Sequence, residues 1–196
     1  MDKKELKKLA QSLKLHGIEA EWEKYSEEPW LEPLLVAESH EKERRSLERR
    51  IKAAQIGQFK PMSEFDWSWP TKIDREQVED LFTMSFLKEN VNVVLSATNG
   101  LGKTMISQNL AYKALMEGFT ARFVKASKML DELLECDGAA KRRSRLRTLC
   151  RVGLLVIDEV GYMSYDSRYA DLLYEVISER YQKKPTIVTT NKAFKE

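Results

Sequence analysis

Asn92-Val-Val-Leu-Ser-Ala-Thr-Asn-Gly-Leu-Gly-Lys-Thr104 is the stretch whose reading decides the fold. Val91 to Leu95 is short, apolar and valine-rich, which predicts a buried strand. A turn holding Gly100 and Gly102 stops it, and Lys103 and Thr104 follow. From Met105 the period changes, with Ile106, Leu110, Ala111, Ala114 and Leu115 at helical spacing. Strand, glycine turn, Gly-Lys-Thr and helix in that order predict a phosphate-binding loop. Glycines let backbone N–H groups converge on an anion, and the helix N-terminus adds partial positive charge. Thr98, Asn99, Gly100, Leu101, Gly102, Lys103, Thr104 and Met105 are the expected nucleotide-binding residues. Lys103 would reach the β- and γ-phosphates, and the Thr104 hydroxyl would ligate Mg²⁺. The full pattern asks for a glycine where this chain has Ala97, a position that alanine can fill only with a negative φ.

A second apolar run closes on two acids. Gly153-Leu-Leu-Val-Ile-Asp-Glu159 reads as a buried parallel strand with Asp158 and Glu159 at its C-terminal end. In open α/β sheets ligands bind at that edge, where the phosphate loop also leaves the sheet. Asp158 would hold hydrated Mg²⁺, and Glu159 would polarise the attacking water. Two acids that merely cap a strand in solvent would not explain their conjunction with Gly-Lys-Thr. The second acid also argues against nucleotide kinases and small GTPases, which do not need it. Thr186-Ile-Val-Thr-Thr190 is a further strand that delivers Asn191 to the same edge. An Asn after a strand is usually a turn residue; in this company its amide would bond the γ-phosphate or the attacking water. Lys103, Glu159 and Asn191 are therefore the expected catalytic residues.

The chain has 196 residues, enough for one medium domain and a smaller one. Lys+Arg 33 nearly cancels Asp+Glu 31, so local patches matter more than the total charge. Cys136 and Cys150 lack metal-ligand spacing, which argues against a zinc site or disulfide framework and for a reducing compartment. No apolar core follows the basic start, so no signal peptide is expected. No run approaches the ~18 apolar residues of a membrane span. The expectation is a cytoplasmic protein with no membrane partner.

Asp2 to about Gly57 reads as all-helical, with a stripe of Leu6, Leu9 and Leu13 that Gly17 interrupts. Pro29 would open a long helix reaching Ile56. Its second half mixes signs, with Glu41–Arg45 and Glu48–Lys52 at pairing distance. Arg44, Arg45, Arg49 and Arg50 form either a solvated face or a patch for DNA or an acidic partner. Gly57 to Arg75 is a linker or ordered loop. Its Phe65, Trp67 and Trp69 either pack on the following core or wall an adenine pocket. Asp74 would cap a helix from Arg75 to Lys88, Gly118 would end the helix after the loop, and Thr120 to Lys125 would form a strand. Ser127 would cap a helix carrying Leu130, Leu133 and Leu134, and Tyr169 to Tyr181 would turn Leu172, Leu173, Val176 and Ile177 inward. From Gly138 to Ile157 there is no acid, while Lys141, Arg142, Arg143, Arg145, Arg147 and Arg151 are basic. A one-sign cluster repels itself unless an anion lies against it, so Lys141, Arg142, Arg143, Arg145 and Arg147 are expected to contact nucleic acid. The pattern divides the chain into a helical domain over 1–57, a linker over 58–75 and a nucleotide-binding core over 76–196.

Asn99-Gly-Leu-Gly-Lys-Thr104, Leu155-Val-Ile-Asp-Glu-Val-Gly-Tyr162 and Thr186-Ile-Val-Thr-Thr-Asn191 resemble the Walker A, Walker B and sensor 1 motifs of AAA+ ATPases. More narrowly, the chain is similar to the IstB-like helpers of IS21-family transposition and to their cousins, the DnaC/DnaI helicase loaders. Asp158-Glu-Val-Gly-Tyr162, Ala170-Asp-Leu-Leu173, Asn191-Lys-Ala-Phe194 and the helix ending Arg50-Ile-Lys-Ala-Ala54 favour the transposition helper. The resemblance implies an α/β P-loop NTPase of AAA+ type, with sheet order 5-1-4-3-2 and a small all-helical N-terminal domain. It implies ATP and Mg²⁺ as cofactors, ATP-dependent self-assembly on duplex DNA, and a cognate transposase that the helper directs and stimulates. It also implies a helical element after the second strand that lines a DNA-binding pore, near Lys141 to Arg151. A replicative helicase loader is the alternative, and a non-catalytic nucleic-acid-binding module is a third reading. The fifth strand, helical lid, arginine finger and sensor 2 arginine are expected beyond Glu196. On that reading the chain is a truncated form with weak ATP turnover and its first strand at an exposed sheet edge.

Overall fold

The computed structural model describes residues 1–69, 72–161 and 167–192, so Tyr162, Ala193 and Phe194 of the motifs above lie outside the described residues. The chain divides into two compact units, Met1–Arg49 and Arg50–Glu196. In the first, helix α1 (Lys3–Leu13) opens with a capping box: Asp2 accepts from Glu5 N at 2.7 Å, and the Glu5 carboxylate accepts from Asp2 N at 3.0 Å. The helix ends at Lys14, not at Gly17. Lys14 is left-handed (φ 60) and its N–H closes on the Ala10 and Gln11 carbonyls, whereas Gly17 lies inside α2 (His16–Ala20). After α3 (Trp22–Tyr25), α4 (Leu31–Ala54) starts two residues past Pro29. Pro33 sits in its first turn, where a missing N–H costs no helical hydrogen bond. Leu6, Ala10, Trp22, Leu31 and Leu35 form the core of this unit. Along α4, Arg44 pairs with Glu41 and Glu48, and Arg45 pairs with Glu41 at 2.6 Å.

The second unit begins at Arg50, near the end of α4. A short 3-10 turn at Met62–Glu64 follows, and then α5 (Arg75–Leu81), capped by Asp74 as expected, with Gln77 N donating to it at 3.0 Å. The single helix predicted to Lys88 is split. The chain turns at Met84, left-handed (φ 62) with a fully buried side chain, and resumes as α6 (Ser85–Lys88).

Val93–Ser96 (β1), Ala121–Lys125 (β2), Leu154–Val160 (β3) and Thr186–Thr190 (β4) form a parallel sheet in the order β1-β4-β3-β2. Helix α7 (Lys103–Met116) packs on one face, and α8 (Ala126–Leu134), α9 (Ala139–Arg151) and α10 (Ser167–Arg180) cover the other. Leu155 and Ile157 of β3 join Leu130, Leu133, Leu146, Leu149, Leu172 and Val176 in one core, so alternate residues of one strand serve two faces. Leu154 to Ile157 are fully buried, a contribution of about 1.5–3 kcal/mol each. The first strand is less buried than its apolar run predicts. Among the described strands β1 pairs only with β4, and Val94 on it is 45 % exposed. Ser127 does not cap α8: the helix starts at Ala126 with Lys125 in the cap position, which places Ser127 inside the first turn.

Candidate nucleotide site

Ala97 N donates to Thr190 O at 3.2 Å and extends the β1–β4 pairing by one residue. Ala97 keeps the negative φ that its side chain requires, while Gly100 (φ 80) and Gly102 (φ 83) make the left-handed turns. Gly102 is the cap of α7, so Lys103 and Thr104 are its first helical residues and their N–H groups belong to the unpaired first turn. The predicted strand, glycine turn and helix are all present, with the helix starting at Lys103 instead of Met105. Lys103 Nζ donates to the carbonyls of Ala97 at 2.5 Å and Thr98 at 2.8 Å, spanning the loop. Partial burial pushes its pKa below the ordinary lysine value, with Asp158 pulling the other way.

Thr104 Oγ1 lies 3.1 Å from both carboxylate oxygens of Asp158. Asp158 is 1 % exposed, and Thr189 Oγ1 donates to its Oδ1 at 2.5 Å. The same Thr189 hydroxyl accepts from Glu159 N at 2.9 Å. Between the register pairs Ile157↔Val188 and Val160↔Thr190, β3 has two residues opposite one on β4. This is a bulge, and Glu159 within it is left-handed (φ 64), an uncommon state for a residue with a side chain. The bulge breaks the alternation that would send adjacent side chains to opposite faces. The Glu159 carboxylate meets Lys125 Nζ, at the end of β2, at 2.9 Å. Asn191 follows β4 at the same sheet edge, and its Oδ1 is buried with no hydrogen-bond partner among the described residues. Gly161 (φ 113) allows this approach, since a Cβ there would stand 3.2 Å from Asn191 Oδ1.

The predicted residues Lys103, Thr104, Asp158, Glu159 and Asn191 thus gather at the C-terminal edge of one sheet. Thr189 and Lys125 were not anticipated. Thr189 carries no local signal beyond being a polar residue within an apolar strand, since the acids it serves lie on the neighbouring strand β3, and a basic residue closing the strand beside β3 is the signal for Lys125. A cavity of about 1000 Å³ adjoins the loop, lined by Trp69, Ile73, Val78, Leu81, Phe86, Leu101, Lys103 and Ile106 among others. Of the three aromatics before α5, Trp69 lines this cavity, Phe65 is buried against Gly102, and Trp67 packs on Phe65 at 4.7 Å.

On α9, Leu146 and Leu149 face the core, and Lys141, Arg142, Arg143 and Arg147 are exposed. Lys141 lies 4.0 Å from Asp137, and Arg145 is half-buried and pairs with Glu132 of α8. Arg180, at the end of α10, is 1 % exposed and was not anticipated. It donates to Thr186 Oγ1, to the carbonyls of Leu149 (2.9 Å), Cys150 (3.3 Å) and Val152 (3.0 Å), and to Pro185 O (2.6 Å). Burial pulls its pKa down to about 10, so it remains a cation at neutral pH. Among the described residues no helix is long and apolar enough to cross a membrane, and no three His, Cys, Asp or Glu side chains form a metal-binding group.

The IstB-like ATP binding protein family matches residues 1–196. A protein named for ATP binding in insertion sequence IS5376 of Geobacillus stearothermophilus is 33 % identical over 172 residues, spanning 88 % of this chain and 68 % of that protein. Its counterpart in insertion sequence IS232 of Bacillus thuringiensis subsp. berliner is 29 % identical over 193 residues, spanning 97 % of this chain and 76 % of that protein. The crystal structure of the DnaC helicase loader superposes with a TM-score of 0.56 at 19 % identity, over 76 % of this chain and 81 % of that one. At that identity the likeness is one of fold. The fold is the expected α/β P-loop NTPase of AAA+ type, its four described strands following the 1-4-3-2 part of the expected order.

Proposed function

The chain belongs to the IstB-like ATP binding protein family, and from that premise we propose that it is an ATP-dependent, DNA-binding helper of transposition. In this reading it is an AAA+ ATPase that assembles on target duplex DNA and recruits and stimulates its cognate transposase. The observation that carries the reading is the Thr104–Asp158 contact at 3.1 Å, which joins the residue after Lys103 to the strand that ends in two acids. A hydroxyl and a carboxylate are hard oxygen donors of the kind Mg²⁺ takes alongside phosphates and water, so the donor set fits that ion. The orphaned Asn191 Oδ1 fits a polar group arriving at the same edge.

Thr98 to Met105 would wrap the phosphates, with backbone N–H groups and the Lys103 cation bonding their oxygens. Thr104 and Asp158 would hold Mg²⁺, which when bound neutralises phosphate charge. Glu159 would orient and deprotonate water, and it must leave Lys125 to do so. The Asn191 side chain would position the water or the terminal phosphate. Lys141, Arg142, Arg143 and Arg147 would meet DNA phosphates, while Arg145 holds α9 to α8 through Glu132. The Geobacillus and Bacillus relatives described above are both named for insertion sequences, which favours a transposase over a helicase as partner. A cytoplasmic location goes with this function.

Sizing the protein with duplex DNA, with and without MgATP, tests the reading. The expected result is a large species that needs both, and that Glu159→Gln preserves after the unmodified protein has consumed its ATP. No nucleotide-dependent species on DNA would sink it. Capture of the transposase, and not of a replicative helicase, by the DNA-bound form is the partner test.

A further inference from the structure

We infer that Phe65 is a positioning residue for the phosphate-binding loop, an aromatic brace held against Gly102 by a strap that runs along α7. The inference rests on the nucleotide-site reading above. Gly102 is left-handed, caps α7, and immediately precedes Lys103 and Thr104. A Cβ built on it would fall under 3.0 Å from Phe65 Cε2 and 3.1 Å from Cζ, so the ring edge lies where any side chain would have to go. Phe65 is itself 8 % exposed. The glycine is demanded twice, once by its φ and once by the ring.

The ring is not placed by its own neighbours alone. Gln108 Nε2 donates to Ile56 O at 3.0 Å, and Asn109 Nδ2 donates to Lys60 O at 2.8 Å. The Phe59 and Tyr112 rings meet at 5.5 Å. These anchors sit at adjacent positions and one turn apart on α7, the helix that Lys103 begins, so the strap and the loop share one rigid support. Beyond Phe65, Trp67 packs on it at 4.7 Å, and the Arg75 guanidinium lies 4.9 Å from the Trp67 ring centroid. Phe65 N donates to Met62 O at 3.1 Å, which closes the turn just before the ring.

A glycine-rich loop is the most mobile backbone a chain can build, and binding must remove that freedom. A ring pressed on the Gly102 Cα excludes the alternative conformations before nucleotide arrives, so the cost of ordering the loop is met by folding and not by binding. A residue that only filled the core would matter for stability and leave the phosphate-directed part of affinity alone.

The test is calorimetric titration of MgATP into the full chain and into Phe65→Leu, Phe65→Ala, Gly102→Ala and the Phe65→Ala/Gly102→Ala pair. Circular dichroism melts of the nucleotide-free proteins report the fold. Phe65→Ala should weaken ATP binding by about tenfold while remaining folded at the titration temperature, and Phe65→Leu should fall between. Gly102→Ala should cost a larger factor in the parent than in the Phe65→Ala background, because there the ring no longer meets the new methyl. If Phe65→Ala does not fold, Phe65→Leu decides: affinity lowered more than about twofold supports the brace. Folded Phe65 variants that bind ATP within twofold of the parent overturn it, as does Gly102→Ala costing the same factor in both backgrounds. A parent chain that binds no ATP would instead defeat the nucleotide-site reading.

Discussion

Asp158 is a carboxylate with almost no access to water, and its hydroxyl contacts to Thr104 and Thr189 are what make that burial tolerable. Thr189 does two tasks with one oxygen, since it also accepts from the backbone of the left-handed Glu159. Thr189→Val keeps the shape and removes both bonds. It should cost about 1–3 kcal/mol in urea unfolding and weaken Mg²⁺-dependent nucleotide binding, and an unchanged denaturation midpoint would contradict this account. Lys103 supplies a pH prediction. Burial depresses its pKa, so the nucleotide-free protein gives up that proton at lower pH than an exposed lysine does. The folded value is below the unfolded one, so within that window the unfolded chain binds more protons and stability rises with pH. Affinity should move the opposite way, because a cation would hold phosphate more strongly than a neutral amine does. ATP affinity should therefore begin to fall below the ordinary lysine value of about 10.4, in titrations run upward from neutral pH, and a flat profile would be the contrary result. These residues differ in legibility. Lys103, Thr104, Asp158 and Glu159 stand out because their types and spacing are local, whereas Thr189 and Phe65 owe their roles to strand order and to a packing distance across the chain.

At the scale of elements, β3, β4, α7 and α9 follow from period and composition because each carries a run long enough to register. The misread boundaries have physical causes: a left-handed Lys14 ends α1 before Gly17 can, and a buried left-handed Met84 splits the helix after Asp74. Arg180 is the instructive case. Helical spacing from Leu172 and Val176 reaches it and predicts a buried position, yet a guanidinium argues for solvent. Its burial is decided by acceptors from the end of α9 and from the segments entering β3 and β4. A cation at a helix C-terminus is favourable there, and the Leu149 and Cys150 carbonyls it serves belong to the last turn of α9, which has no intrahelical donors for them. Arg180→Met should cost about 3 kcal/mol or more, and amide exchange should speed up first at the end of α9 and the starts of β3 and β4. Arg180→Lys, with fewer donors and no fork, should recover only part of the loss. Uniform faster exchange across the whole sheet would argue against a local pin.

For the whole molecule, the basic helix and the acid-bearing strand are consecutive: α9 ends at Arg151 and β3 begins at Leu154, with Arg180 bonding the carbonyls between them. A DNA contact on α9 would therefore act on the start of the strand whose other end carries Asp158 and Glu159, so β3 itself is the physical route for coupling. The charge pattern supports the contact more than the net charge of +2 does. Lys141 and Arg145 face carboxylates of Asp137 and Glu132, whereas Arg142, Arg143 and Arg147 are exposed on a segment with no acid of its own. Each phosphate neutralised on duplex DNA releases counterions and adds about 0.9 to the slope of log affinity against log salt. Arg142→Ala/Arg143→Ala should thus weaken duplex binding similarly for unrelated sequences and flatten the slope by about 2, while calorimetry shows ATP affinity in the absence of DNA unchanged. Glu132→Gln would release Arg145 from its partner, and it should loosen α9 on α8 without steepening the slope if Arg145 serves the fold and not the DNA. A double alanine variant with the parent's slope at every salt concentration would remove α9 from the DNA interface and leave the nucleotide site standing on its own geometry.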